Sequence, residues 1–233
     1  SGLDTDICWM CEDRPSETRE HRVLKARLDL IQGRENGFVA TSPNYRPTVI
    51  RGTKSNVAKF GRTMCQICNG HLSQPWDRAY LDFVKRGLAD PNLYRGVTSI
   101  GWSKLFPAHL GPIPNLSRYY AKNIGCRLID SGQKVPQQLI SYLNSNTDVP
   151  PFSLFLVEEY AWLDEIERLL DNRWDYPTLK SNYSISLAND SSPELVVGLF
   201  HEGPYAVVFL MDSMLGPVHN FAHEATFQVN SRS

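Results

Sequence analysis

CQICNG, Cys65–Gly70, decides how this chain is built, because it pairs with CWMC at Cys8–Cys11. In each stretch a C-x2-C spacing lets one tight turn present two thiolates to a single ion. Zinc takes four such ligands in a tetrahedron, and Cys8, Cys11, Cys65 and Cys68 make a complete set. One pair alone would say little, since isolated CxxC pairs also do redox work. That use is disfavoured here because neither pair sits in a βαβ pattern. A site with every position filled by protein is closed, hence structural rather than catalytic. The fifth cysteine, Cys126, lies in the pattern IGCRLI and reads as a buried core thiol.

Outward from these pairs, the segment up to Trp76 is poor in helical periodicity and rich in turn residues. VLKARLDLI allows a short amphipathic helix, and FVATSPNYRPTVIRG reads as irregular strands or a hairpin broken by Pro43 and Pro47. A helix is expected from Asp77, taken as its N-cap, with Tyr80, Phe83, Val84 and Leu88 on one face. Further helices are expected from Asn115 and over VPQQLISYL, with Pro136 in the first turn. Residues 145–152 read as a break. Beyond it, FSLFLVEEY is a strand, YAWLDEIERLLDNRW an amphipathic helix, and Tyr183, Ile185 and Leu187 alternate as in a half-buried strand. LVVGLF and YAVVFLM flank the turn HEGP as a β-hairpin.

The resulting fold class is α+β: an N-terminal zinc-bound unit, a helical middle and a C-terminal α+β region with a β-hairpin. The expected domains are 1–90 and 91–233. In the first, a knuckle, a hairpin and a helix carrying the second cysteine pair form a treble-clef arrangement, a fold that serves many functions.

Composition excludes several classes. Of 233 residues 42% are hydrophobic and 21% charged, which is ordinary for a globular protein. No apolar run approaches the roughly 18 residues a membrane span needs, so no membrane partner is expected and the chain reads as cytoplasmic. The net charge of −1 is no signature of a polyanion binder. Its distribution is. From Asn36 to Trp76 there is no Asp or Glu, while Arg46, Arg51, Lys54, Lys59 and Arg62 fall inside. An anionic partner facing this segment would meet an uncancelled positive field. A solvated loop with acidic partners elsewhere in sequence is the alternative.

Between the cysteine pairs, Glu20 and His21 are adjacent. A carboxylate beside an imidazole offers a divalent-metal ligand next to a general base. On a strand the two point to opposite faces, so they would do different jobs. Mg²⁺ keeps most of its waters, and Glu20 with the Asn69 amide oxygen would suffice to hold it. A surface Glu–His pair without a role fits the spacing equally well. Arg22, Lys25 and Arg27 could neutralise phosphates or form a solvated helix face. Tyr119 and Tyr120, with Trp102, Trp162 and Trp174, could stack bases, although aromatics at helical spacing are usually core. His201, His219 and His223 read as turn and loop histidines.

C-x2-C, an acid–His pair and then C-x2-C-N resemble the HNH, or ββα-metal, endonuclease family in its zinc-braced branch, over residues 8–77. The resemblance implies a hydrolase acting on phosphodiester bonds of nucleic acid, DNA above all. It implies His21 as the general base that activates water, and Glu20 and Asn69 as ligands of a catalytic Mg²⁺ or Mn²⁺. It also implies structural zinc on Cys8, Cys11, Cys65 and Cys68. Glu20 stands where that family usually has Asp, and Asn56 is the candidate for its middle Asn. The other expectation is a catalytically inactive treble-clef module that binds nucleic acid or protein.

Overall fold

The computed structural model describes residues 4–32, 38–42, 45–50, 54–90, 99–101, 112–158, 178–179, 181–189, 192–202, 205–212 and 226–231. In chain order, strand β1 (Thr18–His21) leads to helix α1 (Lys25–Gln32) and then to strands β2 (Phe38–Ser42) and β3 (Tyr45–Ile50). A 3-10 turn, Asn56–Ala58, precedes β4 (Lys59–Met64), a π-helical turn, Ile67–Leu72, and helix α2 (Gln74–Ala89). Strand β5 (Ser99–Gly101) is followed by helices α3 (Pro112–Asp130) and α4 (Gln137–Asn144). The remaining strands are β6 (Ser153–Glu158), β7 (Thr178–Leu179), β8 (Ser181–Asn189), β9 (Ser192–His201), β10 (Tyr205–Asp212) and β11 (Thr226–Ser231).

The strands form three sheets: β1 with β4, β3-β2-β7, and a six-stranded sheet in the order β5-β11-β6-β10-β9-β8. Consecutive strands pair antiparallel where short turns join them: Phe38 lies opposite Ile50, and Ala206 opposite His201. The expected hairpin around HEGP is thus β9–β10. The alternating strand at Tyr183–Leu187 is the edge strand β8. Between α4 and β6, residues 145–152 carry no regular structure, as the run of Asp148, Pro150 and Pro151 requires. The expected helix at 160–174, Trp102, Trp162 and Trp174 lie outside the described residues. Among the described residues no helix is long and apolar enough to cross a membrane.

Two helix starts differ from expectation. Helix α2 begins at Gln74, not after a cap at Asp77, because the π-helical turn runs straight into it. Ser73 occupies the capping position, and Asp77 donates its N–H to the Ser73 carbonyl at 3.0 Å inside the first turn. The Asp77 carboxylate is therefore not used as a cap. Helix α3 begins at Pro112 rather than Asn115; prolines are tolerated in a first turn, where amides have no helical partner.

Helix α3 holds the centre: every residue from Leu116 to Leu128 is buried. A helix buried all round must find partners for each polar side chain it carries. Ser117 bonds the Tyr142 hydroxyl, Arg118 donates to the Thr147 carbonyl at 2.6 Å, and Arg127 donates to Asn123 Oδ1 at 2.7 Å. Against α3 packs the apolar face of α2, with Tyr80 stacked on Tyr119 at a centroid distance of 3.7 Å. Tyr119 and Tyr120 are thus core, not a base-stacking surface. Arg27 is taken as well: its guanidinium lies 2.7 Å from the buried Glu202 carboxylate, which also accepts from Tyr80 and Tyr120. One continuous buried cluster runs from Cys8 through α2, α3 and α4 to Met211.

The N-terminal turn is docked on α3 through Trp9, whose indole covers Gly125. A Cβ at Gly125 would fall 2.7 Å from Trp9 Cζ2, closer than packed atoms approach. Gly125→Ala is expected to lower stability by about 1–3 kcal/mol, the usual overpacking cost, in urea unfolding followed by Trp fluorescence. An unchanged midpoint would show that Trp9 does not seat there.

Candidate metal centre

The first cysteine pair is shaped by backbone bonds and by the Asn144 amide, which donates to the Met10 carbonyl at 2.6 Å. Cys8 N–H donates to the Arg14 carbonyl at 2.8 Å and Glu12 N–H to the Cys8 carbonyl at 2.9 Å. Glu12 closes the knuckle in the left-handed region, at φ 56°. Trp9 N–H reaches the Thr63 carbonyl at 3.1 Å, which fixes the knuckle to β4. The second pair follows β4 directly. Cys68 N–H points at Cys65 Sγ at 3.4 Å, and Asn69 N–H bonds the Cys65 carbonyl at 3.0 Å as the π-helical turn begins.

These turns bring the Sγ atoms of Cys8, Cys11, Cys65 and Cys68 all within 4.8 Å of one another. Cys11 and Cys65 stand 3.9 Å apart. With Zn–S bonds of about 2.3 Å, a tetrahedral site has sulfurs separated by about 3.8 Å. The donor set and its spacing therefore fit one metal ion of zinc's preference. Three of the thiols are buried and Cys11 is partly exposed. A hydrogen bond from Cys68 drives the Cys8 thiol from its ordinary 9.0 down to about 4, and the same bond pushes Cys68 up. Arg14, exposed, has its pKa raised by the neighbouring Cys65 thiol. Cys126 stands apart as expected: burial pushes its thiol up to about 12, and it contacts Met64 Sδ at 3.6 Å.

The remaining site residues fall on two sides of β1. All irregularity in the β1–β4 ladder is on β4: while β1 steps from Arg19 to His21, β4 steps from Arg62 to Lys59. Glu20 is buried, while Thr18, Arg19 and His21 are half-buried; strand alternation puts Thr18 on the Glu20 side and Arg19 on the His21 side. On the inner side Asn69 Nδ2 donates to Thr18 Oγ1 at 3.0 Å, and Asn69 Oδ1 is buried without a hydrogen-bond partner among the described residues.

Glu20 is buried on that same inner side, but a cation already faces it. Lys122 Nζ, wholly buried on α3, lies 3.4 Å from Glu20 Oε2, 2.7 Å from Asp77 Oδ1 and 3.3 Å from Ser73 Oγ. Ser73 Oγ in turn donates to the Asn69 carbonyl at 2.8 Å, so Glu20 and Asn69 are joined through Lys122 and Ser73. Burial raises the pKa of Glu20, and Asp77 adds to this while the Lys122 charge opposes it. Burial also works against the Lys122 charge, yet Glu20 and Asp77 together hold its pKa above the usual lysine value. A hydrated Mg²⁺ does not fit at Glu20, because the ammonium stands there. Among the described residues no second trio of His, Cys, Asp or Glu ligand atoms gathers.

On the outer side, Arg19 lies directly opposite Arg62 and His21 opposite Lys59. Lys54 and Arg62 are exposed and Lys59 is partly so. Arg46 lies on β3, and Arg51 is outside the described residues. Asn56 accepts from Arg19 Nη1 at 3.3 Å, and His71 is exposed on the π-helical turn. Of the other cations, Arg22 pairs with Asp130 at 2.6 Å and Lys25 is exposed. His201 lies on β9, and His219 and His223 are outside the described residues. The residues sequence reasoning missed are Lys122, Asp77 as its partner, and Arg19. The hint for Lys122 was a lysine embedded in YYAKNIGCRLI, with apolar residues around the whole helix. The chain matches no known protein family, no curated protein and no solved structure.

Replacing Cys68 by Ser is expected to cut bound zinc from about one ion per chain to a small fraction and to make the fold sensitive to mild chelators. Cysteine binds zinc as the thiolate, so protons compete with the metal for all four sulfurs and affinity falls as pH falls. Zinc release, read with a chromogenic chelator, is expected to rise with acidification. Release independent of pH would contradict a thiolate site.

Proposed function

We propose that this chain is a zinc-braced, HNH-like treble-clef module that grips the phosphate backbone of nucleic acid, DNA above all, through the outer side of the β1–β4 pair. The observation that carries this reading is the pair Arg19–Arg62, with His21–Lys59 beside it. Like charges directly opposed across a ladder cost stability. Among the described residues, none of Arg19, Lys54, Lys59 and Arg62 is in an ion pair with a carboxylate. Such a cluster is stabilised by an external polyanion, whose phosphates it would neutralise with release of counterions. The treble clef is supported by the order of parts: a knuckle with two cysteines, an antiparallel pair, then the other two cysteines at the end of β4 and on the π-helical turn that runs into α2. Zinc would brace the module and take no part in chemistry.

A second reading is hydrolysis of the bound backbone, with His21 as the base that takes a proton from water. The observations that favour it are the position of His21 within the cationic side and the unpartnered amide oxygen of Asn69. The burial of Glu20 against Lys122 favours binding without cleavage.

The test is anisotropy of labelled duplex and single-stranded oligonucleotides over a salt series. Binding is expected to weaken steeply with salt. Removing both Arg19 and Arg62 as alanines should flatten the log–log slope by about 1.8, from two lost phosphate contacts. Micromolar chain that binds neither form at low salt rules the reading out, and salt-independent capture of protein would point to the interaction module instead. Plasmid incubated with Mg²⁺ or Mn²⁺ is expected to stay intact; nicking that disappears in His21→Ala would select hydrolysis.

A further inference from the structure

We propose that the Lys122 ammonium is the resident cation of the inner site, a tethered substitute for a divalent ion, so that the centre formed by Glu20, Asp77, Ser73 and Asn69 works without a second metal. An ammonium has three N–H donors and no acceptor. Lys122 has three oxygens within reach: Asp77 Oδ1 at 2.7 Å, Ser73 Oγ at 3.3 Å and Glu20 Oε2 at 3.4 Å. Two of its hydrogens are donated to Asp77 and Ser73, Glu20 lies within ion-pair distance, and the side chain is completely buried. The Tyr119 ring, 5.8 Å away, closes another side.

The three partners come from β1, the residue before α2 and the first turn of α2, while the lysine comes from α3. A divalent ion at this point would crosslink the strand and helix through carboxylates. The ammonium does the same from a third element, with its position fixed by α3. Mg²⁺ requires close oxygens at about 2.0–2.1 Å in an octahedron and keeps several waters. With the ammonium hydrogen-bonded to Asp77 and ion-paired with Glu20, it occupies the place that hydration shell would need. Removing the lysine beyond Cβ would leave one buried carboxylate, one partly buried carboxylate and a hydroxyl around a space, a donor set suited to a hard cation. The inference rests on this buried cluster alone and does not depend on what the outer side of β1 binds.

The test is Mn²⁺ titration of the zinc-loaded full chain, followed by the loss of free-ion EPR signal. Wild type is expected to show no Mn²⁺ binding that Glu20→Gln removes. Lys122→Ala is expected to take up Mn²⁺ at least about tenfold more tightly than wild type, and to lose that site when Glu20→Gln is added. If Lys122→Ala is unfolded in ion-free buffer, MnCl2 is expected to restore its far-UV circular dichroism. Glu20-dependent Mn²⁺ binding by wild type overturns the proposal. So does a folded Lys122→Ala chain that binds no tighter than wild type, or an unfolded one that the ion does not restore.

Discussion

Cys11 and Cys65 are 54 residues apart in sequence and 3.9 Å apart in space, and the knuckle, β4 and the π-helical turn meet at that closure. The knuckle and the β1–β4 pair have little of their own to order them. The paired strands β1 and β4 are short, β4 is bulged, and the knuckle contributes only Trp9 and Met10 beside its cysteines to the buried cluster. A two-stranded ladder of this kind is marginal alone. Four thiols on one ion would supply the missing free energy, since metal binding to a site that does not exist in the unfolded chain is folding free energy. The closure also sets the rest in order: it aims Trp9 at Gly125, and it starts the π-helical turn that carries Asn69 and continues as α2.

Helix α3 answers from the other side. It is buried all round yet carries Arg118, Lys122, Asn123 and Arg127, so its place is fixed by polar pairing as much as by apolar contact. Polar partners are directional, and they specify one register of a helix where apolar packing alone would accept several. Lys122 is the clearest case. Its ammonium joins the strand that bears His21 to the helix that follows the second cysteine pair. The molecule thus holds two cation positions side by side, one that four thiols would offer to a metal and one that a lysine supplies from within.

Much of this was legible in the residues. The cysteine spacing spoke for itself because thiolate geometry is local to each turn. The β9–β10 hairpin was legible because apolar runs flanked a short turn. Strand alternation assigns adjacent Glu20 and His21 to opposite faces, and of the two Glu20 is the buried one. Other features depended on distant partners. Glu20 looked like a metal ligand because its counter-charge lies on α3, far along the chain. Asp77 looked like a cap because nothing local signals that a π-helical turn already supplies the first carbonyls of α2. Arg27 looked like a solvated cation until Glu202 came to meet it from the end of β9. Pairing of this kind is decided by tertiary packing, which single-chain patterns do not encode.

The most direct measurement is anomalous diffraction from crystals of the full chain grown with MnCl2, recorded at the zinc and manganese edges. The expected result is one zinc peak among Cys8, Cys11, Cys65 and Cys68, with the Lys122 ammonium and no manganese between Glu20 and Asp77. A manganese peak on Glu20, with Lys122 displaced, or cysteines without any metal peak, would contradict the account.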